Sequence, residues 1–343
     1  MATRIFITSP LEPEHVERIR AVDPARVDVD YAPDLLPPTR YIGDHVGASL
    51  KRTPEQQRRW REALSAAEVM WDVPRNVEEL ALARRLRWVQ MTSTGVGQLM
   101  KNLKLPSDVM VTTARGVHAT PLAEFVFMVL LSHWRGLGHL QAEQRAHRWT
   151  RYCGEGVAGR RIAMVGAGDL ARGLAERARA FEMATVAVAR DTGKTRAHDG
   201  LFDEIRPPRD LHAVLARADA VIVTVPHTPQ TEGMIDRAAF AAMKPGAMFV
   251  NIARGQVIDE AALLDGLRSG RIGFAALDVA GTEPLPADSP FWDLPNVLVS
   301  PHSASTVVGE NAKIVEIFCW NLRCWLDGRL GGMRNVLDRA RMY

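Results

Sequence analysis

Residues 161–171 read RIAMVGAGDLA. The unbroken apolar run Ile162–Val165 is what a strand buried on both faces requires. Gly166-x-Gly168-x-x-Ala171 follows at once, and Leu170, Leu174, Ala178 and Phe181 then recur at helical spacing. Gly166 permits a tight turn, and Gly168 lets the backbone approach a pyrophosphate. Ala171 is small enough for close helix–strand packing, and the N-terminus of the helix faces the phosphates. A plain strand–turn–helix connection is the competing reading. The placement directly after a strand favours a dinucleotide site.

Working outward, strand-like runs alternate with helical patterns along the whole chain. One series lies at 4–9, 27–31, 68–73, 87–93 and 109–113, and a second at 161–166, 185–189, 220–226, 248–253, 274–280 and 296–301. Eleven strands in two series predict an α/β protein of two doubly wound domains with parallel sheets rather than one barrel. Thr120-Pro121 has the chemistry of a helix start, with Thr120 as N-cap, and introduces the apolar segment LAEFVFMVLLSHW. A polar helix and loop follow over 138–159. Residues 305–327 form a last long helix with Gly328 as its C-terminal stop. This helix follows the second series yet is placed to complete the first domain, predicting a discontinuous domain of 1–117 plus 306–343 around a central domain of 118–305. Residues 33–60 are the least regular stretch, ending in a capped helix start at Thr53-Pro54.

A chain of 343 residues suits two domains of moderate size. Forty-three Lys and Arg against 40 Asp and Glu leave a formal charge of +3, and the basic residues are scattered among acids. Nucleic-acid binding is therefore not expected. Three cysteines without CxxC spacing argue against a disulfide framework or a zinc site, and no metal is expected. No apolar run reaches the ~18 residues of a spanning helix, so the reading is a cytoplasmic protein without a membrane partner.

Two further stretches carry chemistry. In VNIARGQVIDEAAL (250–263), Arg254 falls at the carboxyl end of a strand, where open α/β sheets bind ligands. Its guanidinium could clamp a carboxylate at two points; an arginine in a surface salt bridge is an equal reading of this stretch alone. In ALDVAGTEPLPADSPFWDLPNVLVSPHSAS (276–305), Asp278 ends a strand, Glu283 sits in a Pro-rich loop, and His302 follows the last strand. A histidine paired with a carboxylate is a proton-transfer device. Most other histidines, such as His15, His139, His147 and His198, read as surface or structural.

With these motifs in order, the chain resembles the D-isomer-specific 2-hydroxyacid dehydrogenase family, glyoxylate/hydroxypyruvate reductase branch. The resemblance runs through TSTGVGQL (92–99), ARGVHATPLAE (114–124), VGAGDLA (165–171), VPHTPQTEGMID (225–236), MKPGAMFVNIARG (243–255), the Asp278–Glu283–Pro284 loop, SPHSAS (300–305) and the ending RNVLDRARMY. It implies catalytic Arg254, Glu283 and His302, and a substrate carboxylate held by Arg254 with the backbone of Thr94, Gly95, Val96 and Gly97. It implies cofactor contacts from Gly166, Gly168, Asp169, Leu170, Arg190, Val225, Pro226, Thr231, Ile252, Ala253, Arg254, Asp278, His302 and Ala304. It further implies a flavodoxin-like substrate domain and a Rossmann nucleotide domain, an active-site cleft between the two, and a homodimer built around the helix after residue 120. The expected activity is NAD(P)H-dependent reduction of a small 2-keto acid to the D-2-hydroxy acid, and the reverse. The alternative is a dinucleotide-sensing scaffold that binds protein partners.

Three features depart from the family pattern: Gly281 after the LDV strand, Glu182 where glycine is usual, and the long 33–60 segment. The cofactor preference reads from a fourth. An NAD site wants an acid ~20 residues beyond the glycines. Here Ala189 takes the strand-end position with Arg190 beside it, and Thr192 and Lys194 follow, so NADP(H) is favoured over NAD(H). Asp191 is the opposing signal, since a small shift of the strand end would turn it to the ribose.

Overall fold

The computed structural model of the chain describes residues 2–190 and 200–340. Asp191, Thr192, Lys194 and His198 lie outside the described residues. The chain divides into two compact units, 1–117 with 306–343, and 118–305.

The first unit runs β1 (Thr3–Ile7), α1 (Pro13–Arg20), β2 (Val27–Asp30), α2 (Pro54–Ala66), β3 (Val69–Trp71), α3 (Val77–Leu80), β4 (Trp88–Gln90), α4 (Gly97–Leu103) and β5 (Met110–Thr112). Its strands are all parallel, in the order β2-β1-β3-β4-β5. The order reverses between β1 and β3, which is where such sheets open a crevice at their carboxyl ends.

The second unit runs α5 (Ala119–Trp134), α6 (Leu137–Arg145), β6 (Arg161–Val165), α7 (Asp169–Ala180), β7 (Ala184–Val188), β8 (Glu204–Arg206), α8 (Leu211–Leu215), β9 (Ala220–Val223), α9 (Arg237–Ala242), β10 (Ala247–Asn251), α10 (Glu260–Arg268), β11 (Ile272–Leu277) and β12 (Val297–Val299). Its parallel sheet has the order β12-β11-β10-β9-β6-β7-β8, with the reversal between β6 and β9. Alternate residues of one strand serve opposite faces. Ile162 and Met164 join a core with α5 and α7, whereas Ala163 and Val165 join a core with α8, α9 and α10. Both faces are buried, which is why these strands read as continuous apolar runs.

The chain then returns to the first unit as α11 (Glu310–Leu326). Phe318 on this helix packs against Trp71 and Trp88, at ring centroid distances of 5.8 and 5.0 Å. The helix ends as the sequence predicts. Gly328 is left-handed (φ +66°), its N–H donates to Trp325 O, and Arg329 N–H donates to Cys324 O.

Three expectations need correction. The helix expected from 305 begins only at Glu310, because Gly309 is its N-cap at φ +90°, outside helical space. Thr120 is not an N-cap: α5 starts two residues earlier than that cap implies, at Ala119, with His118 before it. Pro121 still falls in the first turn, where its missing N–H costs nothing. There are twelve strands among the described residues rather than eleven. The extra one, β8, is a half-exposed three-residue edge strand, too short and too polar to announce itself. The Thr53 start does form: Thr53 Oγ1 accepts from Gln56 N, and Gln56 Oε1 accepts from Thr53 N, a reciprocal cap. Glu182 adopts φ +55°, the backbone region that makes glycine usual there.

Candidate active site

The site residues expected in the second unit lie in the segments that follow the carboxyl ends of its strands. Gly166 to Leu170 follow β6, Val225 and Pro226 follow β9, and the two groups flank the point where strand order reverses. Gly166 has φ +119°, and a Cβ there would lie 2.6 Å from Thr224 Oγ1. Only glycine fits. Gly168 is the N-cap of α7, and nothing lies within 4 Å of the position its Cβ would take. The backbone is therefore open to close approach at the start of a twelve-residue helix. Thr231 shapes the loop after β9, its hydroxyl donating to Pro226 O and accepting from Thr228 N. Arg190 is exposed just past β7, and Ala189 N–H before it donates to Arg206 O on β8.

Arg254 follows β10 and the buried Ile252 and Ala253. Asn251, completely buried, fixes this corner: its Nδ2 donates to Arg254 O and its Oδ1 accepts from Ala253 N. The guanidinium bonds Ala253 O. Burial lowers its pKa from the ordinary arginine value, against the opposing pull of the Glu283 and Asp278 charges. Gly255 lies against the main chain of Ala280 and Gly281, where a Cβ would collide. The Arg254 and Glu283 loops are thereby packed backbone to backbone.

His302 Nδ1 lies 2.8 Å from Glu283 Oε2. Glu283 Oε1 accepts from Ala280 N at 3.1 Å. Burial alone would raise the Glu283 pKa, but the bonds from His302 and Ala280, with the charges of His302 and Arg254, hold it below the ordinary value. Asp278, just past the end of β11, is buried, and its Oδ1 accepts from Ser300 Oγ, Ser303 N and Ala304 N. His302 N–H donates to Asp278 O, and His302 itself is left-handed at φ +54°. A non-glycine residue in that region is strained and needs such bracing. Gly281 N–H donates to Glu260 Oε1 at the start of α10, and a Cβ on Gly281 would press on that carboxylate. The glycine at this position thus lets α10 anchor the Glu283 loop.

The structure therefore brings Arg254, Glu283, His302 and Asp278 to one edge of one sheet. Thr94, Gly95 and Val96 belong to the first unit, between β4 and α4, with Gly97 opening α4. Sequence reasoning passed over Asn251, Thr224 and Glu260. An asparagine inside an otherwise apolar run was the signal for the first, since a buried amide must find partners. Among the described residues, no group of three His, Cys, Asp or Glu is placed to hold a metal ion.

The family model for the NAD binding domain of D-isomer specific 2-hydroxyacid dehydrogenases matches residues 127–304. The chain belongs to this family. The D-3-phosphoglycerate dehydrogenase of Mycobacterium leprae is 36% identical over 239 residues, covering 69% of the chain but 44% of the relative. The chain thus spans under half the length of that relative. A glyoxylate reductase of Thermococcus gammatolerans is 32% identical over 72% of the chain and 75% of its own length. Among solved structures, a D-isomer specific 2-hydroxyacid dehydrogenase of Xanthobacter autotrophicus Py2, in complex with NADPH and MES, is 27% identical. It aligns over the whole of both chains with a TM-score of 0.78. In this member of the family, the matched segment holds Arg254, Glu283 and His302 together with the Gly166–Ala171 turn. No helix among the described residues is long and apolar enough to cross a membrane.

Proposed function

We propose that the chain catalyses NAD(P)H-dependent reduction of a 2-keto acid to the D-2-hydroxy acid, and the reverse. The observation that carries this reading is the 2.8 Å bond between His302 Nδ1 and Glu283 Oε2, at the same sheet edge as Arg254.

The residues fit a dinucleotide. Gly166 makes the turn and Gly168 leaves backbone open at the α7 N-terminus, as a pyrophosphate requires. Asp169, Leu170, Arg190, Val225, Pro226, Thr231, Ile252, Ala253 and Ala304 would complete its binding surface, and Asp278 would orient the nicotinamide carboxamide. The bonds from Ser300, Ser303 and Ala304 all go to Oδ1 of Asp278, and Oδ2 remains for that contact. The bound cofactor supplies or accepts the hydride.

The rest is the work of side chains. The backbone of Thr94, Gly95, Val96 and Gly97 would hold the substrate carboxylate, and Arg254 would fix that carboxylate and polarise the 2-keto oxygen. Glu283 engages Nδ1 of His302, so the exchanging proton sits on Nε2. Reduction draws that proton onto the carbonyl oxygen, and the Glu283 carboxylate stabilises the imidazolium beforehand.

NADP(H) is the preferred cofactor in this reading, supported by Arg190 after β7 and by NADPH in the Xanthobacter relative. The chain forms a homodimer in the cytoplasm. Met128 on α5, Leu137 and Leu140 on α6, and Trp149, 99% exposed, give that assembly an apolar surface to cover. A panel of 2-keto acids with NADPH and NADH, followed by loss of reduced-cofactor absorbance, tests the activity. Cofactor binding without turnover of any keto acid would favour the dinucleotide-sensing scaffold.

A further inference from the structure

Residues 334–337 lie along β5, the edge strand of the first unit's sheet. Val336 pairs antiparallel with Thr112, Leu337 N–H donates to Val111 O, and Thr113 N–H donates to Asn335 O. Arg334 ties the segment to α11: its N–H donates to Oδ1 of the completely buried Asn321, and its carbonyl accepts from Nδ2 of the same residue. Such a strap is made by main-chain groups of 334–337, whatever their side chains.

Asn335 adds contacts that the strap does not need. Its backbone is left-handed, φ +58°, a region asparagine tolerates better than most residues. Its Nδ2 donates to two carbonyls, Arg115 O at 2.8 Å and Thr113 O at 3.2 Å. Thr113 O and Ala114 N–H belong to one planar peptide unit. At the far end of that unit, Ala114 N–H donates to Ser93 O at 3.2 Å. The Asn335 amide and the Ser93 carbonyl therefore grip opposite ends of a single rigid peptide. Hydrogen bonds in series polarise one another, so donation into Thr113 O strengthens Ala114 N–H as a donor. Ser93 directly precedes Thr94 in the turn after β4. One residue further back, Thr92 Oγ1 donates to Oδ2 of the completely buried Asp72 at 3.2 Å. Thr92 thus fixes the entry to the turn from the interior, and Ser93 fixes it from β5.

We propose that Asn335 is a positioning residue for the substrate carboxylate, holding the turn of Thr94 to Gly97 in place through the Thr113–Ala114 peptide. This rests on the reading above, in which that turn holds the carboxylate. Asn335 acts through backbone rather than by touching substrate. The carboxylate contact exists in the bound substrate and in the transition state alike, so weakening it raises KM and leaves kcat nearly unchanged.

The test uses the full chain with Asn335→Gly and Asn335→Asp. Glycine keeps the left-handed backbone and the main-chain bonds while removing the amide. Aspartate keeps the shape but presents an acceptor to two carbonyls. KM for glyoxylate and for hydroxypyruvate should rise about 3- to 10-fold in the glycine variant, as the loss of a neutral hydrogen bond implies, and further in the aspartate variant. The factor should be the same for both acids, because they share the carboxylate. kcat and the Kd for NADPH should stay within about twofold of the parent. Amide hydrogen exchange, which needs no turnover, should quicken at 91–97 in both variants. Should one variant fail to fold, the other carries the same comparison. A purely structural strap gives a different split, a lower Tm and a smaller active fraction that lowers kcat at unchanged KM. That split, an unchanged KM or unchanged exchange at 91–97 overturns the positioning role alone. A parent that reduces no 2-keto acid overturns the reading beneath it as well.

Discussion

Glu283 and His302 are nineteen residues apart in sequence, and their side chains meet at 2.8 Å. Neither is held by that bond alone. Ala280 N–H fixes the other oxygen of Glu283, and the carbonyl of Asp278 holds the amide of His302. His302→Ala should therefore remove turnover without disturbing the loops, with a fall in kcat of about 10²–10⁴. Dinucleotide affinity, measured by fluorescence titration, should stay within a few-fold of the parent. Near-parental kcat on every good substrate would remove His302 from the mechanism.

Glu283→Gln should act through pH. The carboxyl of Glu283 is held below its ordinary value, so it is ionised throughout the neutral range and protonates only in acid below that value. Its charge stabilises the imidazolium, the form that donates the proton during reduction. Without that charge, the alkaline fall of kcat/KM for reduction should move to lower pH. A profile unchanged in position would count against the pairing.

Arg254→Lys keeps the charge and loses the planar two-point geometry. The side chain is substantially buried, so the ammonium would also meet a desolvation cost that it sheds more readily by losing its proton. KM for 2-keto acids should rise and kcat should fall together. Unchanged kinetics would transfer the carboxylate to another residue, with Arg115 the first to test.

For the cofactor, kcat/KM for NADPH should exceed that for NADH in the parent, and Arg190→Ala should narrow the gap by at least severalfold. A parent that prefers NADH would assign the ribose contact to an acid instead.

Asp44 offers a stability test apart from the active site. It is buried in the irregular 33–60 stretch and accepts from Arg40 N, Nε and Nη2, Val46 N and Gly47 N. The Arg40 side chain foremost holds its carboxyl far below the ordinary value, against the cost of burial, with help from the backbone donors. Such a group stabilises the fold fully above its unfolded pKa of about 3.9 and loses that contribution as pH falls towards the folded value. Asp44→Ala should cost about 2–3 kcal/mol at neutral pH by denaturant unfolding. The gap between parent and variant should shrink once the pH drops below about 4.

Much of this architecture was legible because its physics is local. Ile162–Val165 had to be apolar at every position to serve two cores, and Gly166 had to be glycine beside Thr224. Arg254, Glu283 and His302 stood out as candidates because each lies in a segment that follows a strand, and the resemblance to the family supplied their roles. What escaped was set by distant partners. Nothing near Asp72 in sequence reveals that its carboxylate reaches Thr92, twenty residues on. The left-handed backbone of His302 depends on Asp278, and Glu260 matters only once Gly281 has folded against it. β8 escaped because three half-exposed residues carry too little periodicity to separate a strand from a loop.

The return of α11 to the first unit orders events during synthesis. Arg26 donates to Leu326 O, three hundred residues later, and Asn311 donates to Glu12. Closing so long a loop costs conformational entropy that only those late contacts repay. The central unit, contiguous from 118 to 305, can complete its own core as soon as it has left the ribosome. The opening unit must wait, with the indole faces of Trp71 and Trp88 lacking Phe318, until the last helix arrives. A nascent chain halted near residue 305 would thus carry a finished nucleotide domain beside an unfinished, sticky one, the species a chaperone would be expected to hold.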